Sequence, residues 1–358
     1  MSNEKLTKAK KAKNDEFYTQ YGDIQREVNA YLEYDPDVFR GKTILLPCDD
    51  PEWSNFTKFF AQNFETFGIK KLISTSYAIN SKKSKYDFEP NQLSLFETPL
   101  ETGSPKYNPE ISDFRGKIFT LTRDTNRSGR IDINDLEWDY LEGDGNYQSN
   151  EVKQLRSEAD FIITNPPFSM YIDFVKWLFE EDKKFLIIGN KSSITYKDIF
   201  DLIKNNKMWS GVSSWSGGLW FHTPEGGNEL ANVASAWFTN IEHGRRHQPL
   251  SLMSMNDNLK YSSHKKIKEK GYPKYDNYDA IEVPYTDAIP NDYDGIMGVP
   301  ITFLEKYCPE QFEIIGRGDG NIADENYYFY HSGFKDKGGV PLVKGEFVYK
   351  RIMIRRKR

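Results

Sequence analysis

Phe161-Ile162-Ile163-Thr164-Asn165-Pro166-Pro167-Phe168 is an apolar run that ends abruptly in a polar residue, two prolines and an aromatic ring. Such a run suits a buried strand, and the prolines stop it, because proline cannot donate to a ladder and restricts the residue before it. Asn165 therefore stands at the carboxyl end of the strand, with its side-chain oxygen as an acceptor. Outward from it, residues 43–47, 71–76 and 185–189 are similar short apolar runs. They are separated by helix-compatible segments such as 55–67 and 169–180. The alternation predicts an α/β fold with a mainly parallel central sheet. In such sheets ligands bind beyond the carboxyl ends of the strands, so the residues after each run are the place to look for chemistry.

At 358 residues the chain has room for two domains of about 150 residues each, or one core with an appendage. No stretch approaches the roughly 20 apolar residues of a membrane helix, and the lysine-rich start has no apolar core to act as a signal peptide. The expected location is the cytoplasm, with no membrane partner and a monomeric chain. Two cysteines, Cys48 and Cys308, are too few for a disulfide framework, and the five histidines show no metal-ligand spacing, so no metal is expected.

The net charge of −5 argues against broad electrostatic binding to nucleic acid, yet its distribution reverses that reading. Residues 1–13 hold five lysines against one acid, residues 244–274 hold eight Lys/Arg against two acids, and residues 350–358 hold six basic groups and no acid. A solvated basic face is the plain explanation for such charge; a phosphate-binding face is the functional one. Residues 81–113, rich in Pro, Gly, Ser and Asn, break the strand-helix rhythm and read as an inserted surface loop. From residue 241 the composition turns loop-rich and basic, which places a domain boundary near 243.

The chemistry concentrates at the Asn165 turn. The Asn165 side-chain carbonyl and the Pro166 backbone carbonyl form an acceptor pair beside the flat face of Phe168. That arrangement holds an exocyclic amino group in plane and favours its nitrogen as a nucleophile. The run resembles the Asn/Asp-Pro-Pro-aromatic motif of S-adenosylmethionine-dependent amino methyltransferases, which implies catalytic roles for Asn165, Pro166, Pro167 and Phe168.

Three more segments extend the likeness. Asp15-Glu16-Phe17-Tyr18-Thr19-Gln20 stands near the N-terminus, where Asp15 could also cap a helix start, Cys48-Asp49-Asp50-Pro51-Glu52-Trp53-Ser54 follows the first strand, and Ser193-Ile194-Thr195-Tyr196-Lys197 follows the 185–188 run. In order and spacing over roughly residues 8–240, these look like the EcoRI-type adenine-specific DNA methyltransferase family, which carries an Asp-Asp loop where most methyltransferases have glycines. The resemblance implies a Rossmann-like methyltransferase fold with a C-terminal target-recognition region. It divides the chain into a basic arm (1–13), a catalytic domain (14–242) and a DNA-binding region (243–358).

It also implies S-adenosylmethionine as cofactor, with Phe17, Tyr18 and Thr19 against its methionine part. Asp49 or Asp50 would hold its amino-acid end, unless one of them caps the helix that begins near Asn55. Asp144, in Leu141-Glu142-Gly143-Asp144-Gly145-Asn146, would meet the cofactor adenine, or else belongs to a plain Asp-Gly turn. Double-stranded DNA is the expected substrate, contacted by Arg245, Arg246, Lys265 and Lys266, with adenine N6 methylated in a base rotated out of the helix. A cognate endonuclease sharing the site is the expected partner. RNA or protein glutamine as acceptor, and a non-catalytic DNA-binding protein, are the competing readings.

Overall fold

Ile44, Leu45 and Leu46 are fully buried in the middle of a large sheet, which is why so short a run can direct the chain's architecture. The computed structural model describes residues 18–78, 108–112, 114–122, 137–213, 217–222, 230–318 and 329–357. The arm 1–13, Phe17, and residues 81–107 and 113 of the expected loop lie outside the described residues. The chain divides into two compact units. One comprises the described residues up to Lys191 together with Gly211–Ile241, and the other comprises Ser192–Ser210 and the chain from Glu242 onward. A single cut near 243 was expected; the excursion at 192–210 groups with the second unit instead.

Seven strands of the first unit's sheet are β1 (Thr43–Leu46), β2 (Lys71–Thr75), β3 (Lys117–Leu121), β4 (Trp138–Tyr140), β5 (Phe161–Thr164), β6 (Lys184–Asn190) and β7 (Ser235–Thr239). They lie in the order β4-β3-β2-β1-β5-β6-β7. The central pairs β2/β1, β1/β5 and β5/β6 are parallel, with Ile44 opposite Leu72 and Phe161. The flanking strands β3, β4 and β7 run antiparallel to their neighbours. The parallel centre is buried on both faces, as its unbroken apolar runs require. All parallel strands point their carboxyl ends the same way, so the turns after β1, β2 and β5 share one rim.

Helices cover the sheet through apolar faces. In helix Tyr21–Tyr34, Ile24, Val28 and Tyr31 fall on one stripe and are fully buried. Helix Asn55–Gln62 buries Phe56, Phe59 and Phe60, each worth roughly 1.5–3 kcal/mol by burial of its ring. The continuous helix expected over 55–67 is broken at Asn63, whose amide donates to the Phe59 carbonyl (2.8 Å) in competition with the helical ladder. A second turn, Phe64–Phe67, closes on Gly68 in the left-handed region (φ 62°). Gly189, inside β6, serves packing instead. A Cβ there would sit 2.3 Å from the Tyr171 ring, so glycine lets the helix that follows the Asn165 turn seat on the sheet.

One buried carboxylate stands out. Glu27, fully buried, accepts hydrogen bonds from the Val212 N–H (2.8 Å), the Ser213 N–H (2.6 Å) and the Tyr31 hydroxyl (3.0 Å). Burial pushes its pKa up, opposed by those bonds. Gly211 permits the approach, since a Cβ there would lie 2.2 Å from a Glu27 carboxylate oxygen.

The second unit holds a sheet of β8 (Ala280–Glu282), β9 (Ile296–Pro300), β10 (Phe312–Gly318) and β11 (Arg351–Arg356) in the order β8-β9-β11-β10. Glu282 and Arg351 form a buried bidentate pair (2.6 and 2.9 Å). Before β11 begins, Glu346–Phe347 turns back on Leu342–Val343 as a separate hairpin. Among the described residues no helix is long and apolar enough to cross a membrane.

Candidate active site

Asn165 leaves β5 where sequence placed it, half-buried, followed by buried Pro166 and half-buried Pro167 and Phe168. The turn is short and held: Pro167 accepts the Met170 N–H (3.0 Å), and a 3₁₀ turn, Phe168–Met170, leads directly into helix Tyr171–Phe179. Phe168 packs edge-on against Phe221 (6.4 Å between centroids), which fixes the ring's plane. Among the described residues, no hydrogen bond is made to the Pro166 carbonyl.

Asp49 is the hub beside this turn. One carboxylate oxygen accepts from the Thr164 hydroxyl (2.6 Å) and the other from the Ser54 hydroxyl (2.7 Å). Its N–H donates to the Thr75 carbonyl (3.1 Å), and the Ser74 hydroxyl donates to its carbonyl (2.5 Å). A single residue thus ties together the ends of β1, β2 and β5, one position before Asn165. Burial raises its pKa to about 7, against the lowering effect of the Thr164 and Ser54 hydroxyls, with the neighbouring Asp50 raising it further.

Ser54, not an aspartate, caps helix Asn55–Gln62, by accepting the Phe56 N–H (3.0 Å). Asp50 instead folds back on its own loop. One oxygen accepts from the Glu52 and Trp53 N–H groups (2.9 and 3.2 Å), and the other meets Lys117 Nζ (3.1 Å). Lys117 also reaches Glu52 (3.4 Å) and lies over the Trp138 ring (4.9 Å). Burial, the leading effect on nearby Lys58, depresses its pKa, while Asp50 and Glu52 oppose that.

The remaining expected ligands lie on separate segments of the same unit. Tyr18–Thr19 form a short strand antiparallel to Leu219–His222, and the Thr19 carbonyl accepts from the Asn55 amide (2.8 Å). Among the described residues, the buried Thr19 hydroxyl and Trp53 indole N–H find no hydrogen-bond partner. Such orphans cost roughly 1–3 kcal/mol each until a ligand or water satisfies them. Asp144 takes the turn geometry: its carboxylate accepts the Asn146 N–H (3.0 Å), and its carbonyl accepts the Ala78 N–H (2.8 Å) just past β2. Gly145 (φ 75°) is obligatory there, because a Cβ would come within 2.0 Å of the Ser76 carbonyl oxygen.

In the second unit the expected DNA-contacting residues divide. Lys265 and Lys266 are exposed on helix Lys265–Lys270, where Lys265 pairs loosely with Glu269 (3.5 Å). Arg245 is partly exposed and pairs with Glu305 (2.9 Å). The Arg246 guanidinium is buried, stacked on Trp209 (3.8 Å) and donating to Asn206 (3.1 Å). In this setting Arg246 packs against the Trp209 ring, while Lys265 and Lys266 stand in solvent.

Local pattern could have found the Ser54 cap and the polar strand end at Thr164. Lys117, Glu52 and Trp53 gave no such signal, since Lys117 joins partners more than sixty positions away.

The family described as "Adenine-specific methyltransferase EcoRI" matches residues 5–357. The type II methyltransferase M.EcoRI of Escherichia coli is 38% identical over 371 residues, covering 100% of this chain and 98% of that protein. M.MpnI of Mycoplasma pneumoniae is 32% identical and M.MgeORF184P of Mycoplasma genitalium 31%, each over 98% of both chains. No solved structure matches the chain. With a family match over nearly its whole length and full-length relatives above 30% identity, the chain belongs to the EcoRI-type family of adenine-specific DNA methyltransferases.

Proposed function

We propose that the chain transfers a methyl group from S-adenosylmethionine to N6 of an adenine rotated out of duplex DNA into the Asn165 turn. The observation that carries this reading is the Asn165–Phe168 turn itself, closing a buried parallel strand and tied through Thr164 and Asp49 to the loop after β1. Family membership supports a methyl donor and a DNA substrate.

The residues present fit the proposed cofactor. Its amino, carboxylate and hydroxyl groups match two donors that find no partner among the described residues, the Thr19 hydroxyl and the Trp53 indole N–H, together with the acceptor carboxylates of Asp50 and Asp144. When bound, S-adenosylmethionine supplies a methyl group made electrophilic by its sulfonium. Asp49 is reassigned in this reading. With both carboxylate oxygens taken by hydroxyls, it positions the loop and the Asn165 turn relative to each other.

For the base, the Asn165 side-chain oxygen and the Pro166 carbonyl accept the two N–H bonds of N6. Holding both orients the nitrogen lone pair and keeps it from competing hydrogen bonds. Phe168, its plane fixed by Phe221, stacks on the extruded adenine and returns about 1–3 kcal/mol of the unstacking cost. No strong general base is needed, because the methylated nitrogen becomes acidic and releases its proton to water. Alignment supplies most of the rate.

The second unit is proposed as the DNA-binding region, with Lys265, Lys266 and Arg245 on phosphates. The protein acts on DNA in the cytoplasm as a monomer, and the type II names of its relatives support an endonuclease sharing its site as partner. Incubation with labelled S-adenosylmethionine and unmethylated duplex DNA, followed by nucleoside analysis, tests the reading. Labelled N6-methyladenine is expected; label in another nucleoside, or none, overturns it.

A further inference from the structure

Residues 331–350 carry four lysines, Lys335, Lys337, Lys344 and Lys350, and three exposed aromatics, Phe334, Phe347 and Tyr349. Tyr349 is 74% exposed and Phe347 48%, where most of the described large rings are buried. Of the two acids in the segment, Asp336 is buried and receives hydrogen bonds from Asn277 (2.7 Å) and Tyr330 (2.9 Å), which leaves Glu346 as the exposed one.

The backbone here is built, not loose. The hairpin Leu342–Val343/Glu346–Phe347 turns through Lys344 and Gly345. The N–H groups of those two residues donate to the Asp276 carboxylate (3.1 and 2.7 Å), pinning the tip. The Lys337 ammonium lies 4.6 Å from the centre of the Phe347 ring, joining the preceding turn to the hairpin.

Four non-glycine residues among those described adopt positive φ, and two are ordinary turn formers, Asp182 and Asn206. The other two are Lys337 (φ 55°) and Lys344 (φ 53°), both in this segment. A left-handed lysine is disfavoured by roughly 1–2 kcal/mol where Asn or Gly would be at ease. Cationic side chains are therefore held at two turn positions that local stability would give to other residues. The hairpin turn itself requires positive φ at Lys344, and the choice of lysine there and at Lys337 places charge at the turns.

From the pinned hairpin, the lysines at its turns and the exposed rings between them, we infer that residues 334–350 form a DNA-contacting element, with Lys337 and Lys344 on phosphates and Phe347 and Tyr349 against sugars or bases. Charge complementarity selects the occupant: an exposed surface of three lysines and one acid, interleaved with aromatics, suits a polyanion that offers apolar edges. The inference rests on the reading that DNA is the substrate. It adds an element that is separate in sequence from the basic 244–274 segment.

The test is equilibrium binding of the full chain to a labelled, mixed-sequence, unmethylated duplex by fluorescence anisotropy across a salt series. Lys337→Asn/Lys344→Asn keeps residues that tolerate positive φ and removes two charges. The slope of log affinity against log salt should become shallower by about 1.8, at about 0.9 per phosphate contact. Phe347→Ala should weaken binding roughly tenfold while leaving the slope unchanged. Melting temperatures close to wild type establish that both variants are folded. Wild-type binding matched in affinity and slope by both variants overturns the inference and leaves the DNA reading intact. Failure of the wild-type chain to bind any duplex overturns the DNA reading, and this inference with it.

Discussion

Replacing Asp49 by asparagine should change how stability depends on pH. The Asp49 carboxyl is 5% exposed and its pKa is raised to about 7 by burial, against about 3.9 in an unfolded chain. The folded state therefore binds this proton more tightly than the unfolded state does. Its contribution favours folding in acid, declines as pH rises through the window from about 4 to about 7, and is flat above it. Three units at 1.36 kcal/mol each give a change of about 4 kcal/mol as an upper bound, with a slope near 1.4 kcal/mol per pH unit inside the window. The amide of the Asp49→Asn variant keeps the shape and carries no proton equilibrium. The Thr164 and Ser54 hydroxyls can each donate or accept, so the hydrogen bonds survive with one reversed. Urea denaturation of both proteins from about pH 4.5 to about pH 8.5, which spans most of the titration window, reads the difference directly. The wild type should lose ground to Asp49→Asn steadily up to neutral pH and then hold level. Parallel curves across the window would refute the buried-hub account of Asp49.

Other substitutions separate roles that share a neighbourhood. Trp53→Phe removes the unpartnered indole N–H and should weaken S-adenosylmethionine binding about tenfold in calorimetry with little change in melting temperature; unchanged affinity would remove Trp53 from the cofactor site. Glu27→Ala strands the buried Val212 and Ser213 N–H groups and should cost about 2–5 kcal/mol in denaturant titrations, while a loss under about 1 kcal/mol, the size of a surface change, would contradict the clamp. Arg246→Ala should lower the melting temperature and leave the salt dependence of DNA binding as it was, whereas a shallower slope would restore Arg246 as a phosphate contact.

The parallel centre of the sheet was legible because burial on both faces writes itself as unbroken apolar runs. The run 161–164 matches β5, and 43–47, 71–76 and 185–189 match their strands to within a residue or so at each end. The Asn165 turn was legible for the opposite reason, since two prolines after such a run allow little else. The antiparallel strands β3, β4 and β7 were not anticipated. Lys117–Leu121 alternates buried and less buried positions, a weaker signal, and Trp138–Tyr140 is only three residues long. Pairings between distant positions leave no local trace: Glu27 reaches Val212, Asp49 reaches Thr164, and Lys117 reaches Asp50. The two aspartates after β1 illustrate the limit. Sequence left open which of them holds the cofactor, and only the fold distinguishes them, burying Asp49 as a crosslink and pairing Asp50 with a lysine. The charge at 245–246 shows it again, because composition counts Arg246 as surface and the fold stacks it inside.

The central claim is that Asn165 holds the amino group that receives the methyl. It is tested most directly by Asn165→Ala, with cofactor affinity measured by calorimetry and methyl transfer to duplex DNA measured on the same preparation. The account predicts cofactor affinity close to wild type and transfer reduced by two or more orders of magnitude, roughly the cost of losing one oriented polar contact to the reacting group. Transfer near the wild-type rate would contradict it.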